Sequence, residues 1–157
     1  MPRRRAPRST RPPRPLPPPQ PLSPGNWQIA DLPGLDRDAL VALRDRGIRS
    51  TRDLLDRCPD RNASDRLAAD LQRHPQHVRK WVALARLATV PEVGCRHAGV
   101  LLHAGIASPE QLAAAPIHRL YPQLVRLFVA TTQRRDLVPD RPTVLRWIAA
   151  ARAQAAR

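Results

Sequence analysis

Apolar residues recur three or four positions apart along two stretches of the chain, with polar residues between them. The first stretch runs from Leu32 to Leu54, and the second repeats its order from Val90 to Leu112, always 58 residues later. Spacing of this kind is typical of amphipathic helices that bury one face. Because a repeated pattern indicates a repeated structural unit, we predict two copies of one helical arrangement.

Two tryptophan-containing segments extend the repeat. Residues 78–83 read Val-Arg-Lys-Trp-Val-Ala, and residues 144–149 read Val-Leu-Arg-Trp-Ile-Ala. Their larger offset of 66 residues indicates an insertion in the middle of the second copy. Trp81 and Trp147 fall on the apolar stripes of these helices, so we predict core anchors rather than exposed rings that stack on bases.

Residues that start and end helices separate the apolar stretches. Gly47 and Gly105 each stand before an isoleucine, where a left-handed glycine would end a helix. Ser50 and Ser108 each stand where a capping side chain would start the next helix. Further helix starts are predicted at Asp36, Ser64, Pro75, Cys95, and Asp140 or Thr143. A longer helix is predicted near residues 120–132, with Leu124, Leu127 and Phe128 buried.

A tight turn stands before the first helix of each copy. It reads Pro-Gly-Leu-Asp at residues 33–36 and Pro-Glu-Val-Gly at residues 91–94. These turns resemble the helix-hairpin-helix unit, whose turn usually reads Gly-hydrophobic-Gly. In that unit, the N–H groups at the start of the following helix can hold a DNA phosphate. The residues expected to shape the hairpins structurally are Gly34, Leu35, Gly47 and Gly105.

Both turns depart from that pattern. Asp36 replaces the second glycine of the first turn, and its carboxylate would cap its own helix and repel phosphate. Glu92 replaces the first glycine of the second turn, whereas Gly94 is expected to leave the helix start open. The better candidate for phosphate binding is therefore the second hairpin, through Val93, Gly94 and Arg96. A purely structural role is the alternative for both hairpins.

The pattern as a whole predicts an all-α fold. Two tandem helix-hairpin-helix-type repeats are expected to pack as one compact helical domain over residues 27–155. Repeat one spans about residues 27–89, and repeat two spans about residues 90–155. Aromatic residues make up only 3% of the chain, so Leu, Val and Ala must fill the core.

The first 26 residues differ sharply in composition from the rest of the chain. They contain ten of the 19 prolines and six arginines, with no acidic residue. Prolines at this density exclude helix, so we expect a disordered tail. The tail is interpreted either as a solubilising extension or as a basic arm that reaches along nucleic acid, with Arg3, Arg4 and Arg5 at its start.

The net charge of +14 is unevenly distributed. Residues 27–75 hold nine arginines and nine aspartates, whereas residues 76–157 hold twelve basic and four acidic residues. An excess of this size favours a polyanionic partner. The basic residues expected to add non-specific phosphate contacts are Arg79, Lys80, Arg134, Arg135 and the arginines of the tail.

Other function classes are disfavoured. No apolar run approaches the ~20 residues of a membrane span, no secretory signal opens the chain, and two cysteines fit a reduced, cytoplasmic setting. The histidines and cysteines form no recognised metal-ligand set; they are expected to include solvated, Arg-flanked histidines such as His97. We identify no catalytic residues, and we expect no cofactor, no metal and no small-molecule substrate.

Over residues 27–155 the order and spacing of these features resemble the domain-of-unknown-function 4332 family, which is built on tandem helix-hairpin-helix units. The features that carry the resemblance are the Leu-Pro-Gly-Leu turn, the two Gly-Ile helix ends and the spacing of the two tryptophan helices. The resemblance implies an all-helical, non-catalytic module and supplies no established activity.

Two functions remain as alternatives. The leading hypothesis is a non-catalytic protein that binds nucleic acid, DNA more than RNA, through largely sequence-independent phosphate contacts. The second is a helical adaptor for a protein partner, in which the degenerate hairpins are purely structural and the neutral first repeat is the docking surface.

Overall fold

The computed structural model describes residues 20–157. These residues fold into eight α-helices and contain no β-strand. This confirms the all-α class. Two short 3-10 turns, Ile29–Asp31 and Arg135–Leu137, stand between or before the helices. The helices are α1 (Arg37–Asp45), α2 (Thr51–Arg57), α3 (Arg61–Asp70), α4 (Pro75–Ala88), α5 (Gly94–His103), α6 (Pro109–Ala114), α7 (Ile117–Thr132) and α8 (Arg141–Ala155).

Helices α1 and α5 end in the same way. Gly47 and Gly105 adopt left-handed φ angles of 78° and 86°. In each copy the following isoleucine donates its N–H to a carbonyl five residues earlier, at 3.0 Å. These bonds satisfy carbonyls that the helix end would otherwise leave unpaired. The predicted glycine ends are confirmed.

The short helices α2 and α6 also start in the same way. Ser50 accepts the N–H of Asp53, whose carboxylate accepts the N–H of Ser50 in return at 3.1 Å. Ser108 accepts the N–H of Gln111, whose side-chain oxygen accepts the N–H of Ala107 at 2.7 Å. In α2 this is a reciprocal capping box, whereas in α6 Gln111 accepts from the residue before the cap; both arrangements occupy donors with no intrahelical partner.

A single hydrophobic cluster runs through both copies. Trp81 and Trp147 are 3% and 0% exposed, and Val78 and Val144, at equivalent positions of α4 and α8, are fully buried. Helix α4 packs against α2, α3 and α5, while α8 packs mainly against α6. Because α4 also contacts α5, the core is continuous between the two repeats.

Two predicted helix starts were wrong. Asp60, not Ser64, caps α3, because its carboxylate accepts the N–H of Ala63 at 2.7 Å. Ser64 lies inside the helix and donates its hydroxyl to the carbonyl of Asp60. Helix α7 starts at Ile117 rather than near residue 120, so Pro122 lies inside it. Because proline has no backbone N–H, α7 lacks one backbone hydrogen bond at this position.

The boundary of the N-terminal tail also shifts. Residues 23–26, expected to belong to the tail, form a turn in which Asn26 donates its N–H to the carbonyl of Ser23 at 2.9 Å. The side chain of Asn26 then accepts the N–H of Arg52 at the start of α2. Residues 1–19 of the expected tail, including Arg3, Arg4 and Arg5, lie outside the described residues.

Candidate nucleic-acid interface

The start of α1 is occupied by the chain's own carboxylate. Gly34 takes a left-handed φ of 82°, and Leu35 packs against the core. Asp36 accepts the N–H of Ala39 at 2.7 Å, and both of its oxygens accept from the guanidinium of Arg73, at 2.6 and 2.7 Å. Arg73 and the cap together lower the pKa of Asp36 to about 2. An anion would have to displace this carboxylate.

The second hairpin turn, between α4 and α5, carries an acid in a strained backbone position. Glu92 has a left-handed φ of 70°, the conformation that Gly34 adopts at the equivalent place in the first copy. Residues with a Cβ adopt this conformation only at a cost. The carboxylate of Glu92 accepts from Nε of Arg146 at 3.0 Å, so the acid is held at the hairpin by α8.

Trp27 covers the start of α5. Its indole Nε1 donates to the carbonyl of Ala88 at 3.0 Å, and its ring lies over Gly94, where an added Cβ would be 2.5 Å from Cζ2. The N–H groups of Val93 and Gly94 both point to the carbonyl of Val90. The expectation that Gly94 leaves this helix start open is therefore wrong. Trp27 precedes the first hairpin in the sequence, but its ring packs on the second.

The side chains expected to contact phosphate divide into two groups. Arg96, Lys80 and Arg135 are exposed and make no ion pair within residues 20–157. Arg79 instead pairs with Asp65 at 2.7 Å, and Arg134 donates its Nε to Asp136 at 3.1 Å. A paired guanidinium already has an anionic partner. The unpaired side chains of the first group are therefore better suited to bind phosphate.

Every acid of the second repeat is engaged. Glu92 and Asp136 pair with arginines as described above, and Glu110 pairs with Arg86 at 3.0 Å. Asp140 caps α8 by accepting the N–H of Thr143 at 2.9 Å. Arginines of this repeat that make no ion pair within residues 20–157 are Arg96, Arg119, Arg126, Arg135, Arg141 and Arg152.

Two of these arginines, Arg119 and Arg126, lie on α7 and were not singled out from the sequence. The available signal was the run from residue 111 to residue 135, which contains four arginines and no acid. Within this run, α7 carries Arg119 and Arg126, both exposed, so positive charge without a neighbouring acid lies on its surface.

A groove of about 300 Å³ lies between α5 and α7. Leu124 is buried beneath α7, but Leu127 and Phe128, which were expected to be buried, are only partly covered. On this side α5 presents Gly99, which has no side chain, between the exposed Arg96 and His103. The groove is lined by Arg96, Gly99, Val100 and His103 from α5 and by Leu127, Phe128, Thr131 and Thr132 from α7.

Comparison with known families decides the classification. A family model described as "Domain of unknown function (DUF4332)" matches residues 33–154. The chain belongs to this family. The DUF4332 match begins in the first hairpin turn and reaches the last turn of α8, so it spans both repeats and leaves out Trp27. No curated protein and no solved structure matches the chain.

Among residues 20–157, no three His, Cys, Asp or Glu side chains group so that they could hold a metal ion. In the same residues, no helix has both the length and the apolar character that crossing a bilayer requires.

His97 lies beside the second hairpin and is not the solvated histidine expected from the sequence. Its ring centroid is 4.8 Å from that of Trp147. Burial, and then the charge of Arg96, lowers the pKa of His97 to about 4. Its Nδ1 and the Nε1 of Trp147 are buried without a hydrogen-bond partner among the described residues. The neutral imidazole therefore packs against Trp147 at the edge of the hydrophobic core.

Proposed function

We propose that the protein is a non-catalytic nucleic-acid-binding protein whose contacts go mainly to phosphates and depend little on base sequence. The observation that carries this proposal is the charge of the second repeat, where every acid is engaged and exposed arginines remain without an acidic partner. Such a surface favours a polyanion, because binding releases the counterions that are condensed on the polyanion.

Side chains, rather than the hairpin backbones, would supply most of the contacts. The start of α1 is filled by Asp36, and that of α5 is covered by Trp27. Arg96 is exposed in the first turn of α5, and Arg119 and Arg126 are exposed on α7. Arginine offers a planar fork that matches phosphate oxygens, so these residues are suited to backbone contacts without sequence readout.

The test is fluorescence-anisotropy binding to labelled duplex and single-stranded oligonucleotides over a salt series. We expect the logarithm of the association constant to fall linearly with the logarithm of salt concentration, by about 0.9 per phosphate contact on duplex DNA. Absence of binding at low salt, or affinity that ignores salt, contradicts the proposal.

A pair of charge-matched triple variants locates the surface. Arg96→Gln, Arg119→Gln and Arg126→Gln remove three charges from exposed positions of the second repeat. The control variant neutralises Arg37, Arg44 and Arg52, which are exposed on the first repeat. We expect the first variant to lower both affinity and salt slope clearly more than the control does. Equal effects would show that only net charge matters.

A second function is favoured by the closed hairpins. Because Asp36 and Trp27 occupy the sites where phosphate would approach a helix start, the hairpins can serve packing alone. The protein would then be an adaptor that docks a protein partner on its neutral first repeat. Pull-down from a nuclease-treated lysate separates the two: partners that persist favour the adaptor, and partners that vanish favour nucleic acid.

A further inference from the structure

The groove between α5 and α7 combines a partly uncovered aromatic ring with the cationic side chain of Arg96. Phe128, the one phenylalanine of the chain, lines it and is only partly buried. Unlike Trp81 and Trp147, it does not belong to the buried core cluster or to the side chains packed against that cluster. Its ring is therefore accessible to a ligand.

The walls of the groove are largely apolar. Val100 and Leu127 line it, and Gly99 adds no side chain. The hydroxyls of Thr131 and Thr132 donate within α7, to the carbonyls of Leu127 and Phe128, both at 2.7 Å. Because the hydrogen of each hydroxyl is already donated to a helix carbonyl, these threonines add little polarity to the groove.

The positive charge of the groove comes from Arg96 on α5. Arg96 and His103 lie seven residues apart, two turns along one face of the helix, and both are exposed. No acidic residue lines the groove. An occupant with a flat apolar part and an adjacent negative charge would match both features.

We propose that this groove receives an unstacked base of a single-stranded nucleic acid, which stacks on Phe128 while Arg96 contacts the neighbouring phosphate. This inference rests on the proposed nucleic-acid-binding function and adds the class of strand. Bases of a duplex are stacked and paired, whereas those of a single strand are free to stack on a protein ring.

The size of the groove favours a base over a protein helix. About 300 Å³ lies at the small end of ligand pockets. A docked amphipathic helix inserts several anchor side chains at once and therefore needs a larger volume. A single planar group with an attached phosphate needs only one aromatic wall and one cation.

The experiment compares two labelled single strands of equal length, an oligothymidine and the same strand with abasic sites, which carry equal numbers of phosphates. We expect the wild-type protein to bind the oligothymidine about fivefold or more tightly. Phe128→Ala should abolish that preference and leave the salt dependence unchanged, and Phe128→Trp should retain it. Circular dichroism checks that each variant is folded.

Leu145→Ala is the matched control, because Leu145 is an apolar side chain on α8 that is 44% exposed and lies outside the groove. It should leave the preference intact. Equal, salt-dependent affinity of the wild type for both strands would overturn the base-binding groove and leave the proposed function standing. Loss of binding to every oligonucleotide would overturn both.

Discussion

Replacing Gly94 by alanine tests the contact that closes the second hairpin. Gly94 has a left-handed φ of 55°, and the new Cβ would lie 2.5 Å from the Trp27 ring. The backbone term is about 1–2 kcal/mol, as for any residue with a Cβ in this conformation. The overlap with a packed ring adds about 1–3 kcal/mol. We therefore expect the free energy of unfolding to fall by about 3 kcal/mol.

Gly105→Ala separates the two contributions. Gly105 has a φ of 86°, but no atom beyond its own residue and its two chain neighbours lies within 4 Å of the position its Cβ would take. This variant should lose only the backbone term of about 1–2 kcal/mol. A double-mutant cycle gives a second check, because Gly94→Ala should also cost only about that much in a Trp27→Ala background.

Urea unfolding followed by circular dichroism gives the required free energies, provided that the slopes with denaturant agree among the variants. The reasoning is refuted if Gly94→Ala costs no more than Gly105→Ala. It is refuted equally if the cost of Gly94→Ala is the same with and without Trp27. Either result would mean that the indole does not pack on this turn.

Three further measurements probe other features. Glu92→Gly should stabilise the fold by up to about 1 kcal/mol, because relief of the left-handed strain outweighs loss of the exposed pair with Arg146; a less stable variant in urea unfolding contradicts this. Because the pKa of His97 is lowered to about 4, its contribution to the free energy of unfolding is fully present above pH 6.5 and is lost as the pH falls toward 4. That loss, about 2 kcal/mol after allowance for partial exposure, should disappear in His97→Gln, and an equal pH dependence in both proteins would refute it. Burial raises the pKa of Cys58, and that of Cys95 to about 12, so both thiols should react with iodoacetamide only after unfolding; rapid labelling of the native protein would show otherwise.

The helix ends were the most predictable part of the fold. Gly47 and Gly105 were identified because a left-handed helix end needs a residue without a Cβ, a requirement local to a few residues. The cap at Ser50 was identified for the same local reason. The start of α3 was misplaced because Asp60 and Ser64 are both suitable caps, and only the folded helix shows which one is used.

The candidate interface was less predictable. Arg96, which was predicted to contact phosphate, is exposed, whereas the pairing of Arg79 with Asp65 depends on how α3 packs against α4. The sequence suggested that Phe128 would be buried, because it lies on the apolar side of α7. Whether an apolar side chain is covered depends on the neighbouring helix, and α5 leaves this one partly open.

By itself the sequence determined the repeat, the all-α class, the glycine ends of α1 and α5 and the concentration of positive charge in the second half. These follow from periodicity, local backbone preference and counting, none of which requires contacts between distant residues. Only the tertiary structure decided that Trp27 covers Gly94, 67 positions later in the chain, and that Arg73 closes the first hairpin by binding Asp36. Such contacts join residues far apart in sequence, and their geometry exists only once the helices have packed.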